Sequence, residues 1–66
     1  MKIIVNGQAR DLPPGETLNI LVKRFCKEPA HVIAEVNGAI IDREIWEKAS
    51  LRDGDKLELV TFVGGG

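Results

Sequence analysis

One cysteine, Cys26, stands alone in 66 residues, so no intramolecular disulfide can form. Small extracellular domains depend on several such staples, and a reducing cytoplasm is therefore the expected setting. Charge of one sign is also lacking. Nine basic residues face ten acidic ones for a formal net charge of −1, without the basic surplus of a general nucleic-acid binder. The apolar opening Met1-Lys2-Ile3-Ile4-Val5 breaks at Asn6-Gly7, too soon for a signal peptide, and no stretch is long enough to span a membrane. There is no long polar or proline-rich tract, no phosphate-binding or dinucleotide-binding glycine fingerprint, and no Ser/His/Asp set. Length is short as well. A chain of this size forms one domain with a small core and rarely encloses a deep substrate cavity, which argues against an independent enzyme.

What is present reads as alternating elements. Met1 to Val5 is β-branched and apolar, as a strand requires. Asn6-Gly7 is the two-residue signal for a type I′ hairpin, and Gln8 to Leu12 is the returning strand. Pro13-Pro14-Gly15 ends it. Thr17 is placed to cap a helix over 18–27, with Leu18, Leu21, Val22 and Phe25 on one apolar stripe and Ile20 off it. Pro29 stops that helix. His31 to Val36 is the third strand, Asn37-Gly38 turns the chain, and Ala39 to Ile41 is a short fourth strand. Arg43 to Ser50 is ambiguous, a short helical turn from which Ile45, Trp46, Ala49 and Leu51 fill gaps. Asp53-Gly54-Asp55 is a turn, and Lys56 to Val63 is the last strand.

This order implies an α+β domain of the β-grasp type over 1–63: a mixed sheet of four to five strands with one main helix across one face, followed by a glycine tail, 64–66. The first and last strands, the most apolar, are expected side by side in the middle. Alternation and the helical stripe place Ile3, Val5, Leu18, Leu21, Val22, Phe25, Val36, Leu57 and Leu59 in the core. The same alternation turns Glu58, Val60 and Phe62 outward on the last strand, Ile33 and Glu35 on the third, and Ile4 on the first. Ile4, Ile33, Val60 and Phe62 are expected to form one exposed apolar patch, a docking site for partner enzymes.

The chemistry-bearing residues are few. Cys26 near the helix C-terminus sits at the wrong pole for a depressed thiol pKa and reads as passive and partly buried. His31, the one histidine, has no metal-ligand spacing around it. Asp53 and Asp55 lack the further oxygen ligands of a calcium loop, and Asp42, Glu44 and Glu47 read as a solvated face. No metal and no bound cofactor are expected. That leaves Gly64-Gly65-Gly66. Without Cβ atoms, a bare backbone can thread a narrow channel in another protein and bring its terminal carboxylate to bound ATP. Adenylation would give that carboxylate a good leaving group, and a sulfur nucleophile could then displace AMP.

These residues also form a family pattern. Lys2-Ile3 with Asn6-Gly7, Thr17-Leu18, Val36-Asn37-Gly38, Arg43 with Trp46, Leu51, Asp53-Gly54-Asp55 and Gly65-Gly66 follow one another over essentially the whole chain as in the ThiS sulfur-carrier family of thiamin biosynthesis, which the chain resembles. Gly64 is an extra glycine, and Asp42 stands where a proline is frequent. The resemblance implies a ubiquitin-like fold and a carrier that is a co-substrate rather than an enzyme. It implies that an E1-like, ThiF-like enzyme adenylates Gly66 with ATP, that a thiocarboxylate follows, and that a ThiG-like thiazole synthase receives the sulfur from a carrier that is monomeric when free. Related alternatives are the small subunit of molybdopterin synthase and a ubiquitin-like modifier of lysines; a structural binding domain with an incidental tail is the third.

Overall fold

The computed structural model describes residues 1–62. Five strands form one mixed sheet: β1 (Lys2–Val5), β2 (Gln8–Asp11), β3 (Val32–Val36), β4 (Ala39–Ile40) and β5 (Lys56–Thr61), in the spatial order β2-β1-β5-β3-β4. The helix α1 (Leu18–Phe25) follows the first hairpin, and its stripe packs on one face of the sheet. This is the β-grasp arrangement. β1 and β5 lie parallel in the centre, with Ile4 level with Lys56 and Val5 with Leu57; β3 runs antiparallel to β5 from Val32–Thr61 to Val36–Leu57.

Both two-residue turns take the conformation that their sequence requires. Asn6 and Gly7 have φ of 48° and 83°, Asn37 and Gly38 of 51° and 86°. Such positive φ values are open to asparagine and glycine and costly for other residues. Each asparagine then serves the central strand. Asn6 Oδ1 accepts from the Leu59 amide at 2.7 Å and its Nδ2 donates to the Leu59 carbonyl at 3.3 Å. Asn37 Oδ1 accepts from the Lys56 amide at 3.0 Å.

The core contains Ile3, Val5, Leu18, Leu21, Val22, Leu57 and Leu59 as the alternation requires, together with Leu12, Val32, Ala34, Trp46 and Leu51. Two expected members are only half-buried. Phe25, on the last turn of α1, packs at the core margin beneath the Arg10 guanidinium, 5.5 Å from its ring centre. Val36 is the last residue of β3, next to the Asn37-Gly38 turn, and packs against the core only in part. Ile20 is exposed, as its place off the stripe implies.

Several boundaries differ from the sequence expectation. The helix ends at Phe25, two residues early. Cys26 is already extended, and its amide closes the last helical bond to the Val22 carbonyl at 2.8 Å. A proline keeps the residue before it out of the helical region, so Glu28 could not have continued the helix. Thr17 holds the N-cap position, but its hydroxyl bonds the Asn19 side chain rather than a backbone amide. The free amides of the first turn are met by main chain instead: Leu18 donates to Ala49 and Asn19 to Trp46. His31 belongs to a 3-10 turn, Pro29–His31, and not to β3. A second 3-10 turn, Arg43–Ile45, resolves the ambiguous segment and carries Trp46 into the core. β4 stops at Ile40, and β1 and β2 each lose one end residue, although Met1 and Leu12 still exchange main-chain bonds.

Candidate functional site

β5 is the element that leads toward the glycines, and it is held on both sides. Leu57 and Leu59 point into the core. Asn6 meets the Leu59 backbone where β1 has ended, and at the far end the Phe62 amide donates to the His31 carbonyl at 2.8 Å. Phe62 is therefore tied to the body of the protein by main chain. Its ring also lies 5.8 Å from the His31 imidazole at 47°, while His31 Nδ1 is 2.9 Å from a Glu28 carboxylate oxygen. Gly64, Gly65 and Gly66, and Val63 as the expected last strand residue, lie outside the described residues.

The outer face of the sheet beside Phe62 is apolar. Ile33 and Val60 are cross-strand partners, 40% and 49% exposed, and Phe62 is 42% exposed one step further along the same face. The structure thus brings together three of the four residues expected in the patch. Ile4 is not among them. Its register partner on β5 is Lys56, four residues before Val60, which sets it about 13 Å back along the strand, with Glu58 between. Ile4 is also half-buried.

A residue that alternation on β5 and β3 did not reach completes the patch. Ile40 pairs with Glu35 across the Asn37-Gly38 turn and so shares the outer face with Ile33, 68% exposed. The signal was present: a two-residue turn sets the register of both strands and hence the face of each side chain. Beside the patch opens a groove of about 290 Å³ whose lining includes Ile33, Ile40, Ile41, Arg43, Trp46 and Phe62. Glu35 and Glu58 stand opposite each other next to it, so the patch has an acidic margin.

The other titratable residues take structural places. The Asp53 carboxylate accepts from the Lys2 amide at 2.6 Å; Asp55 accepts from the Arg52 amide at 2.8 Å and from Asn37 Nδ2 at 3.0 Å. Both hold the turn into β5. Asp42, Glu44 and Glu47 are exposed. Burial pushes the Cys26 thiol above its ordinary value, toward the unreactive form. Among the described residues, no group of three or more His, Cys, Asp and Glu side chains is placed to hold a metal ion. Nor, among them, is any helix long and apolar enough to cross a membrane.

The chain is similar to sulfur carrier proteins and to a segment of larger thiazole synthases. It is 30% identical to the sulfur carrier protein ThiS of Escherichia coli K12 over 66 residues, covering the whole of both chains. It is 33% identical over 66 residues to a thiazole synthase of Paramagnetospirillum magneticum, and there it spans only 20% of the relative's length. Its fold superposes on the crystal structure of the thiamine biosynthesis protein ThiS from Geobacter metallireducens with a TM-score of 0.83, at 28% identity and full coverage of both chains. The family model for ThiS matches residues 3–66, and the chain belongs to the ThiS family.

Proposed function

We propose that the protein is a sulfur carrier for thiamin thiazole synthesis and acts through the carboxylate of Gly66. The observation that carries this reading is the end-to-end match to the E. coli sulfur carrier, in a chain whose central strand runs toward three consecutive glycines. In the proposed cycle an E1-like partner binds ATP, and a Gly66 carboxylate oxygen attacks the α-phosphorus with release of pyrophosphate. Sulfur at the sulfide level then attacks the acyl carbon, the C–O bond to AMP breaks, and a thiocarboxylate remains. A thiazole synthase takes up that sulfur. The similarity to a segment of a larger thiazole synthase supports this acceptor.

The carrier's own contributions are an acyl group and a docking face. Gly66 is the fourth residue after Phe62, which limits the reach to about 14 Å. A partner whose catalytic site accepts the carboxylate must therefore rest against the surface around Phe62. Ile33, Ile40, Val60 and Phe62 offer that surface, and the Glu35–Glu58 margin favours a partner with cationic groups at the rim.

Tail variants test the proposal. Deleting Gly66 moves the carboxylate back by about 3.3–3.6 Å and should abolish ATP–pyrophosphate exchange with the activating enzyme. Adding one residue after Gly66 should do the same. Melting temperature and partner affinity should stay unchanged in both. Normal exchange by the deletion variant would refute the carrier reading.

A further inference from the structure

Arg43 is exposed as a residue, yet its guanidinium is fully engaged on one side. Nη1 donates to the Pro29 carbonyl at 2.8 Å, and Nη2 donates to the Ala30 and Val32 carbonyls at 3.2 and 3.0 Å. The guanidinium lies over the Trp46 ring, 4.4 Å from its centre. Trp46 is itself fixed, buried and donating from Nε1 to the Ile41 carbonyl at 3.0 Å. The Pro29 and Ala30 carbonyls belong to the 3-10 turn that joins α1 to β3, and the Val32 carbonyl is the first of β3. The His31 carbonyl in that turn accepts the Phe62 amide, the last main-chain bond of the chain among the described residues.

We infer that Arg43 is a positioning residue for the tail: it clamps the Pro29–Val32 turn and, through the His31 carbonyl, sets the point at which β5 releases the chain toward Gly66. The clamp is read from geometry; its consequence for sulfur transfer rests on the tail-activation reading above. The five register pairs between β3 and β5 hold the sheet without Arg43, so the clamp acts on the final rung rather than on the fold. Arginine suits the task. Its planar fork offers several donors in fixed directions and stacks on an aromatic face. Lysine keeps the charge but presents a single flexible ammonium, which cannot hold three carbonyls and lie flat on Trp46.

Without the clamp, the final rung opens and two more residues, Thr61 and Phe62, join the stretch that leads to Gly66. Its length rises from four residues to six, and its reach from about 14 Å to about 21 Å. The carboxylate then spends less time in line with ATP, and Phe62, freed with the rung, no longer holds its fixed place in the docking face.

The test uses the full chain with Arg43→Lys. Amide hydrogen exchange at Phe62 should accelerate about ten-fold or more, the factor expected when a charge-assisted hydrogen bond is lost. Leu57 and Leu59 amides should keep their rates within about two-fold, since local opening need not involve the core. In ATP–pyrophosphate exchange with a ThiF-type activating enzyme, kcat should fall about two-fold, the factor that follows from lengthening the segment from four residues to six, and KM for the carrier should rise as Phe62 leaves its fixed place in the docking face. Unchanged protection at Phe62 overturns the inference. So does a parallel rise at Leu57 and Leu59, which makes Arg43 a stability residue, and so does a raised KM with normal kcat, which places it in the docking face. A second variant leaves Arg43 intact: a semisynthetic chain with a backbone ester in place of the Phe62 amide removes the final rung alone. It should reproduce the loss in kcat, and normal kcat in that chain also overturns the inference. Should the wild-type chain support no exchange at all, the activation reading fails, and the amide rates still decide whether Arg43 clamps the rung.

Discussion

Asn6 is the position where turn conformation and central-strand bonding meet, and replacing it separates the two effects. The parallel ladder between β1 and β5 runs through Ile4 to Asp55 at 3.0 Å and Asn6 to Leu57 at 2.9 Å. The next rung has no strand residue to make it because the chain has turned. The Asn6 side chain supplies it, accepting from and donating to Leu59. Removing the side chain leaves the Leu59 amide without this partner, at a cost of about 1–3 kcal/mol. Asn6→Gly carries that cost alone, because glycine adopts a φ of 48° freely. Asn6→Ala adds roughly 1 kcal/mol for holding a Cβ-bearing residue in the left-handed region, for a total of about 2–4 kcal/mol. At an ordinary backbone position the order is reversed, and alanine is the more stable of the pair by about 0.4–1 kcal/mol. Total stability for a domain of this length is on the order of 3–10 kcal/mol, so the alanine variant should be severely weakened. Its melting temperature should fall on the order of 10–25 °C. Urea unfolding of wild type, Asn6→Gly and Asn6→Ala, followed by Trp46 fluorescence, measures all three. If alanine equals or exceeds glycine, or both lie within about 0.5 kcal/mol of wild type, the account of this turn is wrong.

Leu57→Ala empties the centre of the core, where Leu57 is completely buried, and should cost about 2–5 kcal/mol by denaturant titration; an unaltered midpoint would remove β5 from the centre of the packing. Val60→Ser with Phe62→Ser should weaken binding to the activating enzyme while the melting curve stays close to wild type, because both side chains project from the outer face; unchanged affinity in calorimetry would place the docking surface elsewhere. Cys26 has its pKa raised by burial, so the folded state holds the thiol proton more tightly than the unfolded chain. Its contribution to stability is complete below the ordinary value of 9.0 and is lost as pH rises through the higher folded value. Stability should therefore decline above pH 9.0 more in wild type than in Cys26→Ala, and iodoacetamide should label the native thiol more slowly than the unfolded one; equal alkylation rates would contradict the burial.

Much of the architecture was legible because its signals are local. Asn6-Gly7 and Asn37-Gly38 are turn pairs whose conformation depends on two residues, and both adopt it. The stripe Leu18, Leu21, Val22 and the alternation at Leu57 and Leu59 identify core faces by period alone. Ile33, Val60 and Phe62 came out exposed on one side for the same reason. Trp46 and Leu51 were harder to place, since a single 3-10 turn carries no period and gives little hint of which side chain enters the core. Cap chemistry also misled at Thr17: the sequence offers a hydroxyl, but the carbonyls of Trp46 and Ala49 reach the helix amides first.

By itself the sequence determined the order of elements, the two hairpin turns, the buried face of β1, β3 and β5 and the family pattern that ends in glycines, because each depends on neighbours within a few residues. The tertiary structure alone decided which outward-facing residues become neighbours. The parallel register of β1 against β5 separates Ile4 from the patch, and the β3–β4 pairing adds Ile40 to it. It alone brought the Arg43 guanidinium to the carbonyls of Pro29, Ala30 and Val32, and the Phe62 amide to the carbonyl of His31, 31 positions earlier in the chain. Such contacts follow from strand register and chain crossing, which are settled by the packing of the whole core and leave no period or motif in the segments they join.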